Sequence, residues 1–320
     1  MPLQFDMPLE ELRSYQGVNP RPADFDAFWD RSVAEIDALD PEVDLKPADF
    51  ETSFADCFHL TFNGLGGARL HAKYLRPKMF SGPKPAVLMF HGYGGSSGDW
   101  NDKLGYVAQG ISVAALDCRG QGGLSEDKGG VTGSTLIGHI IRGLDDPPER
   151  MLFRLIFLDT VQLARVVMNM AEVDQTRLAA IGGSQGGGLA LACAALEPRI
   201  KLAAVLYPFL SDYRRVWEID LATDAYADLQ KYFRRFDPLH EREAQIFEKL
   251  GYIDVQHLSP RIRAETLWGA CLMDTVCPPS TQFAAYNKIE GRKKMLIYPD
   301  YGHETPPGYQ DKLFRFLQLL

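Results

Sequence analysis

The most informative stretch of this 320-residue chain is Arg177-Leu178-Ala179-Ala180-Ile181-Gly182-Gly183-Ser184-Gln185-Gly186. Its first five residues form a mostly apolar run that predicts a buried strand, and the next segment, Gly187–Leu196, predicts a helix. The pattern G-x-S-x-G joins the two, with Ser184 at its centre. A strand that turns directly into a helix exposes a serine hydroxyl at the tip, and glycines leave room for so tight a turn. The stretch therefore predicts a strand–turn–helix unit that presents Ser184 as a nucleophile.

Short apolar runs bounded by glycine recur along the chain, and they favour parallel strands buried between two helix layers. The runs are Ala86–Phe90, Ile111–Leu116, Arg177–Ile181, Leu202–Tyr207, Thr266–Leu272 and Lys294–Tyr298. Helical patterns such as Thr160–Ala171 lie between them, so the alternation predicts a doubly wound, mostly parallel α/β sheet. Two alternating runs that precede these strands, Cys57–Phe62 and Arg69–Leu75, predict an antiparallel hairpin, which makes the sheet mixed.

We expect a single domain over residues 1–320, with three additions to the sheet. Residues 1–50 are predicted to form an N-terminal helical extension that includes a helix over 22–39, with Asp24, which follows Pro22, as its cap. The apolar face of this helix comprises Phe25, Phe28, Trp29, Val33 and Ile36. Residues 124–158, with the bulky run Met151–Leu158, and residues 209–260 break the alternation. We interpret both as insertions over the carboxyl edge of the sheet that form a lid or an oligomer contact.

Composition excludes several functional classes. The chain is 46% hydrophobic and 24% charged, which is typical of a globular protein with a large core. Its net charge of −8 offers no basic patch for nucleic acid and would be repelled by an anionic membrane. The opening residues show no signal-peptide pattern, and no apolar stretch approaches the ~18 residues of a membrane span. We therefore expect a cytoplasmic protein whose five cysteines are reduced.

The base that would activate Ser184 is predicted to be His303. In α/β enzymes with this serine turn, the chain order of the triad is Ser, then Asp or Glu, then His. Three histidines follow Ser184, namely His240, His257 and His303. Only His303 lies just beyond a late strand, in a loop that contains a glycine.

The acid that would orient His303 is predicted to be Asp274. It follows the strand Thr266–Leu272, so it lies at the same carboxyl edge of the sheet as Ser184 and His303. Asp300 is the rival candidate, but it precedes His303 by three residues on one short loop, where it is poorly placed to reach the far imidazole nitrogen.

Acyl transfer also needs two amide donors for the developing oxyanion. One is predicted to be the amide of Gln185, the residue after the nucleophile. The second is expected from Tyr93 in the loop His91-Gly92-Tyr93-Gly94-Gly95, with the tyrosine ring forming part of the pocket wall. His91 has no second ligand at metal-binding spacing, so we expect it to be a structural hydrogen-bonding residue. The chemistry predicts no metal and no organic cofactor.

Together these motifs resemble carbohydrate esterase family 7, the acetyl xylan esterases and cephalosporin C deacetylases. Three family motifs stand here in order: Arg119-Gly120-Gln121, Gly182-Gly183-Ser184-Gln185-Gly186 and His303-Glu304, with Asp274 supplying the acid. The likeness covers nearly the whole chain. It includes His91–Gly95, Ser97–Trp100, Tyr207–Tyr213 and Cys277–Ser280.

The resemblance implies an α/β-hydrolase fold and the removal of acetyl groups from short xylo-oligosaccharides and cephalosporin C. It also implies an intracellular homohexamer whose active sites face a central cavity. Arg119, Gln121 and Glu304 are then structural motif residues, and Arg119 and Gln121 are expected to brace the site. Pro208 and Phe209 are expected to line a small acyl pocket together with Tyr93.

Three alternatives stay open at this point. The fold alone does not separate an acetylesterase from a related peptidase or a dienelactone-type hydrolase, because function depends on the site. A non-catalytic binding protein of the same fold would be marked by loss of a triad residue, and none is lost here. A redox role for Cys271 and Cys277, which flank Asp274, is a further possibility.

Overall fold

The computed structural model describes residues 5–79, 82–128 and 139–320. In this part of the chain the strands are β1 (Asp44–Pro47), β2 (Ala55–Asn63), β3 (Arg69–Pro77), β4 (Lys84–Phe90), β5 (Ser112–Leu116), β6 (Val173–Gly183), β7 (Leu202–Leu206), β8 (Glu265–Cys271) and β9 (Lys293–Tyr298). The helices are α1 (Leu9–Leu12), α2 (Phe25–Asp37), α3 (Leu104–Val107), α4 (Leu152–Met168), α5 (Gln185–Leu196), α6 (Tyr213–Glu218), α7 (Ala227–Phe236), α8 (Glu243–Leu250), α9 (Val255–Leu258), α10 (Pro279–Asn287) and α11 (Tyr309–Leu317). Short 3₁₀ turns occur at Leu65–Gly67, Asn101–Lys103, Pro148–Arg150, Asp224–Tyr226, Gly251–Ile253 and Ser259–Arg261.

The described strands form one sheet in the order β1-β2-β3-β5-β4-β6-β7-β8-β9. Strands β4 to β9 are parallel to one another. The pairs β1–β2, β2–β3 and β3–β5 are antiparallel. All six predicted parallel strands are present, and the hairpin is confirmed, with Cys57 opposite Leu75 and Asn63 opposite Arg69. The prediction of a mixed, mostly parallel α/β sheet is therefore confirmed.

Alternate residues of the central strands supply the two hydrophobic layers, because successive side chains of a strand point to opposite faces. On one face, Leu88 and Ala180 belong to a large core cluster that includes residues of α2, α4 and α5. On the other face, Val87 and Ala179 pack in a second cluster with residues of α11. Helix α5 thus lies directly behind the strand that carries Ser184.

Helix α4 corrects one predicted boundary. The run Met151–Leu158, assigned from the sequence to the insertion 124–158, supplies the N-cap residue Met151 and the beginning of α4 from Leu152, so that insertion was drawn too long. Every residue of α4 except Arg165 is buried, because the helix packs between the sheet and α2. Apart from Arg154, the stretch Leu152–Leu158 is apolar throughout, so it shows no alternation of apolar and polar residues at helical spacing, which explains the error. Residues 129–138 of the same insertion, with Gly129-Gly130, lie outside the described residues.

The N-terminal region differs from the prediction in three details. Residues 5–50 contain strand β1 at the edge of the sheet as well as helices α1 and α2, so the extension is not purely helical. Helix α2 is shorter than the predicted 22–39, although Phe25, Phe28, Trp29 and Ile36 are buried as expected and Val33 is half-buried. Asp24 stands at the N-cap position of α2 as predicted, but its side chain accepts no hydrogen bond from an amide of the helix. Residues 1–4 lie outside the described part of the chain.

Residues 209–260 connect β7 to β8 and contain helices α6 to α9. The N-terminal segment is tied to this region through the buried carboxylate of Asp212, which accepts hydrogen bonds from the Tyr15 hydroxyl at 2.8 Å and from the amides of Val18 and Asn19. Across residues 5–79, 82–128 and 139–320, no helix has the length and apolarity that a membrane crossing needs.

Candidate active site

Ser184 occupies a strained turn between β6 and α5. Its φ of 55° and ψ of −125° lie outside the regions that L-residues ordinarily adopt. The turn is held from the neighbouring strand, because the Ser184 amide donates to the Leu206 carbonyl at 3.0 Å and the Ser184 carbonyl accepts from the Phe209 amide at 3.0 Å. Backbone strain of this kind persists only where surrounding structure enforces it, and it is concentrated at functional sites.

Two glycines of the motif are required by close backbone approach. A Cβ on Gly186 would lie 2.0 Å from the Phe90 carbonyl oxygen at the end of β4. A Cβ on Gly182 would lie 2.3 Å from the Gly186 carbonyl, across the turn itself. Neither position has space for a side chain, so the G-x-S-x-G spacing follows from the packing of this turn.

Ser184, His303 and Asp274 come together at the carboxyl edge of the sheet although they are far apart in sequence. The Ser184 Oγ lies 3.0 Å from His303 Nε2, and His303 Nδ1 lies 2.8 Å from Asp274 Oδ2. An ionised carboxylate only accepts hydrogen bonds, so Nδ1 of His303 carries the hydrogen and donates it to Asp274. In the neutral imidazole this leaves Nε2 free to accept the proton of the Ser184 hydroxyl.

Asp274 is fully buried, and its position is fixed on both sides. While Oδ2 accepts from His303, Oδ1 accepts from the amides of Val276 and Cys277 at 2.9 Å and 2.8 Å. Three donors thus compensate the buried carboxylate. The rival acid Asp300 has no contact with His303 among the described residues.

The two predicted oxyanion donors lie on loops that Gln121 ties together. The side chains of Gln121 and Gln185 exchange amide hydrogen bonds of 2.7 Å and 2.9 Å, and Gln121 Oε1 also accepts from the Gly94 amide at 2.9 Å. Gln185 is the first residue of α5, so its own amide has no acceptor inside the helix. Gln121 therefore links the loop that contains Tyr93 to the turn that contains Ser184.

The Tyr93 side chain is anchored by its surroundings. Its hydroxyl accepts a hydrogen bond from the His139 amide at 2.9 Å, and its ring meets that of Phe209 edge-on at a centroid distance of 6.0 Å. Burial, together with the negative charge of Asp228, raises the pKa of the Tyr93 phenol well above its usual value. The preceding His91 bridges the ends of β4 and β5, because its Nε2 accepts from the Cys118 amide at 2.9 Å while its Nδ1 contacts the Gly92 carbonyl.

Arg119 is completely buried and makes a bidentate ion pair with Asp159 of α4, with two contacts of 2.6 Å. It also donates to the carbonyls of Lys128 and Leu65. Its guanidinium thus joins three separate segments and does not contact the triad. The sequence did not single out Asp159, because this acid lies 40 positions away inside an apolar helix.

The remaining predicted residues lie at different distances from the chemistry. Pro208 and Phe209 are buried at the end of β7, and the Phe209 ring lies between those of Tyr93 and Tyr226. Glu304 is exposed, and its carboxylate accepts only a long 3.4 Å contact from the Gly302 amide. The structure gives Glu304 no contact with Ser184 or Asp274.

Two neighbours of the triad were not assigned to it by sequence reasoning. The Tyr207 ring packs against the His303 imidazole at a centroid distance of 4.4 Å. The thiol of Cys277 lies beside the Ser184 side chain. Tyr207 follows the carboxyl end of β7, and Cys277 lies in the loop that follows the carboxyl end of β8. This placement is the only signal in the sequence that could have identified them.

One group among the described residues has the ligand types for a metal ion. Single ligand atoms of Asp274, Cys277 and His303 lie within 4.8 Å of one another. Asp274 Oδ2 and His303 Nδ1 already share a hydrogen bond, and Asp274 Oδ1 accepts from two backbone amides. The cluster therefore belongs to the triad itself.

The two cysteines beside Asp274 lack the properties of redox-active thiols. Burial raises the pKa of Cys271 to about 12, and it raises that of Cys277 well above the usual value, with the charge of Asp274 adding to both shifts. Reactive cysteines have a lowered pKa and an exposed thiolate. All five cysteines are free and buried.

The whole chain matches a known family. The family model described as acetyl xylan esterase (AXE1) covers residues 1–320. Acetyl xylan esterase 1 from Thermoanaerobacterium sp. JW/SL YS485 superposes with a TM-score of 0.96 and 58% identity, covering 98% of each chain. An acetyl xylan esterase from Paenibacillus sp. R4 gives a TM-score of 0.93 and 36% identity over 98% of this chain and 99% of that one.

More distant relatives agree with these matches. The acetyl esterase Axe7A of Xylanibacter ruminicola is 26% identical over 292 residues, which are 89% of this chain. The match spans 64% of that relative's length. The acylaminoacyl peptidase of Pyrococcus horikoshii superposes with a TM-score of 0.58 at 15% identity, over 89% of this chain and 42% of the other, and it shares the fold alone.

Proposed function

This chain belongs to the acetyl xylan esterase (AXE1) family, and from that premise we propose that it is a serine esterase that removes acetyl groups from acetylated xylo-oligosaccharides. Ser184 is the proposed nucleophile, His303 the general base and acid, and Asp274 the residue that orients His303. The observation that carries the proposal is the continuous hydrogen-bonded line from Ser184 Oγ through the imidazole to the buried carboxylate.

The proposed reaction proceeds by two acyl transfers. His303 Nε2 takes the proton of Ser184 as the hydroxyl oxygen attacks the acetyl carbonyl, and the imidazolium that forms is stabilised by Asp274. The protonated Nε2 then gives its proton to the departing sugar oxygen, which leaves an acetyl group on Ser184. Water, activated by the same imidazole, attacks the acetyl-enzyme and releases acetate.

The amides of Tyr93 and Gln185 are the proposed donors to the oxyanion of each tetrahedral intermediate. The support is their position, since Gln185 begins helix α5 and Tyr93 lies on the loop that Gln121 holds against it. The positive end of the α5 dipole adds to this stabilisation. The loss of one such donor typically lowers turnover by about 10²–10³-fold.

A small acyl pocket is proposed between Tyr93, Pro208 and Phe209. Phe209 supports this assignment because it is buried against the Tyr93 ring and its amide binds the Ser184 carbonyl. Bulky aromatic walls so close to the nucleophile favour a short acyl group. We therefore expect rapid hydrolysis of acetate esters and progressively slower hydrolysis of longer ones.

The test compares wild type and Ser184→Ala on p-nitrophenyl acetate, butyrate and octanoate, and then on acetylated xylo-oligosaccharides with acetate release as the readout. We expect acetate esters to be preferred and the variant to be inactive on every substrate. Activity that survives the Ser184→Ala substitution would contradict the assigned nucleophile. A preference for octanoate would leave the triad intact and overturn the deacetylase assignment.

Cephalosporin C is proposed as a second substrate, because the motif combination resembles enzymes that act on both acetylated sugars and this antibiotic. Its acetate ester is small and would present the same acetyl group to Ser184. Liquid chromatography that detects deacetylcephalosporin C after incubation with wild type, but not with Ser184→Ala, tests the proposal. A wild type that deacetylates xylo-oligosaccharides and leaves cephalosporin C intact would restrict the substrate class to saccharides.

A cytoplasmic homohexamer is proposed for the working form. Five free, buried thiols suit a reducing compartment. The hexamer rests on the motif resemblance. Light scattering after size-exclusion chromatography gives the oligomeric mass, and fractionation of the source cells gives the compartment. A monomeric mass would contradict the proposed hexamer, and a secreted enzyme would contradict the proposed cytoplasmic location.

A further inference from the structure

Tyr207 stands in an unusual backbone conformation directly after β7. Its φ of 34° lies in the left-handed region, which bulky residues rarely adopt. The conformation is held in part by its own amide, which donates to the Gly269 carbonyl at 2.8 Å. Such strain is maintained only where the surroundings enforce it.

The residues on either side of Tyr207 fix the backbone of the nucleophile. Leu206 accepts the Ser184 amide hydrogen at 3.0 Å, and Phe209 donates its amide to the Ser184 carbonyl at 3.0 Å. Tyr207 lies between these two anchors. The backbone on both sides of Tyr207 is consequently fixed relative to the Ser184 turn.

The Tyr207 ring faces the base of the triad. Its centroid is 4.4 Å from that of the His303 imidazole, with the ring planes at 44°. Its hydroxyl lies 3.4 Å from Thr305 Oγ1, two residues beyond His303 in the same loop. The side chain is 9% exposed, and burial raises the pKa of its phenol, so it remains neutral across the working range of an esterase.

We propose that Tyr207 is a positioning residue for His303, because its ring fixes the plane of the imidazole and so keeps Nε2 directed at the Ser184 hydroxyl. The contacts of His303 Nδ1 with Asp274 and of Nε2 with Ser184 define a line through the imidazole, about which the plane of the ring can still tilt. The Tyr207 ring, at contact distance and inclined by 44° to the imidazole, restricts this tilting. The inference rests on the proposed function of Ser184 and His303.

A cavity on the side of Tyr207 away from the triad supports this role. Tyr207 and Thr305 also line a cavity of about 210 Å³, whose walls include Tyr106 and Leu313 and to which neither Ser184 nor His303 belongs. If the Tyr207 ring were removed, this cavity would extend to the imidazole. His303 would then have room to turn away from the nucleophile.

The experiment compares Tyr207→Leu and Tyr207→Phe with wild type, using Tyr106→Leu as a matched control on the same cavity. The assays are kcat and KM on p-nitrophenyl acetate and the rate of inactivation by phenylmethylsulfonyl fluoride, which reports the reactivity of Ser184. For Tyr207→Leu we expect kcat and the inactivation rate to fall about 10–10²-fold at nearly unchanged KM, since misorientation of a reacting group has effects of this size. Tyr207→Phe keeps the ring and loses one long hydrogen bond, so it should stay within about threefold of wild type. Tyr106→Leu should match wild type.

Three results would overturn the proposal: a Tyr207→Leu variant with wild-type kcat, a Tyr207→Phe variant as impaired as the leucine variant, or a Tyr106→Leu variant that loses as much. Thermal unfolding checks that each variant folds, and Tyr207→Met, whose flexible chain fills a similar volume, replaces the leucine variant if that one does not. A wild type inactive on acetate esters would instead refute the proposed function, so the two failures are distinguishable.

Discussion

Asp274→Asn is the substitution whose consequence follows most closely from the geometry. The carboxylate is fully buried and accepts three hydrogen bonds, from His303 Nδ1 and from the amides of Val276 and Cys277. The asparagine oxygen would keep the two backbone amides. Its NH₂ group would then face His303 Nδ1, so the imidazole would have to accept there and carry its hydrogen on Nε2.

An imidazole with hydrogen on Nε2 cannot take the proton of Ser184. We expect kcat on p-nitrophenyl acetate at neutral pH to fall about 10⁴-fold, as for the same change in other triads, which corresponds to about 5.5 kcal/mol of activation free energy. The free energy of unfolding in urea should change little, because both backbone amides keep their acceptor. Asp274→Ala leaves the two amides unpaired and should cost about 1–3 kcal/mol for each.

The pair of variants separates the catalytic role of Asp274 from its structural role. Asparagine should abolish activity and preserve stability, whereas alanine should reduce both. An Asp274→Asn enzyme that retains kcat within tenfold of wild type would refute the tautomer argument. Equal loss of stability in both variants would refute the assignment of Oδ1 to the backbone amides.

Three further outcomes are expected. Gln121→Leu removes the link between the loop that contains Tyr93 and the turn that contains Ser184. We expect kcat to fall about tenfold with a smaller effect on KM, because the two oxyanion-donating amides move but remain present. An unchanged kcat would contradict the role of this link. Arg119→Met leaves the buried Asp159 carboxylate unpaired and should lower the free energy of unfolding by about 3–5 kcal/mol, and Asp159→Leu in the same chain should restore part of it, as measured in urea. Burial and the nearby Asp212 raise the pKa of Asp254 to about 7, against about 3.9 in an unfolded chain. Because folded Asp254 keeps its proton to a higher pH than the unfolded chain does, its contribution to the free energy of unfolding falls as pH rises from about 4 to about 7. Asp254→Asn should therefore flatten the dependence of the free energy of unfolding on pH over this range. A variant with the same pH dependence as wild type would contradict this assignment.

Local patterns were sufficient to predict the hairpin, the six parallel strands and the chain order of the site residues. The strands that carry the site are apolar on both faces and end in glycine or polar residues, so each strand end could be located from the sequence. Ser184, Asp274 and His303 all follow such ends, and parallel strands bring their carboxyl ends to one edge. The structure accordingly places the three side chains in hydrogen-bonding contact.

The features that the sequence did not indicate depend on contacts between distant segments. The first half of helix α4 is apolar apart from Arg154, so it lacks the amphipathic pattern by which helices are recognised. Strand β1 reads Asp-Leu-Lys-Pro and is defined only by its backbone pairing with β2. The partners Asp159 of Arg119 and Gln185 of Gln121 lie 40 and 64 positions away, where no local rule connects them.

The central claim, that Ser184 carries the acetyl group during turnover, is tested most directly by trapping the intermediate. Wild-type enzyme mixed with p-nitrophenyl acetate is quenched in acid within milliseconds, digested and mapped by mass spectrometry. We predict one acetyl group on the peptide that contains Ser184, with stoichiometry that matches the burst of p-nitrophenol, and none in Ser184→Ala. A burst without acetylation of this peptide, or acetylation of another residue that forms and decays at the turnover rate, would contradict the account.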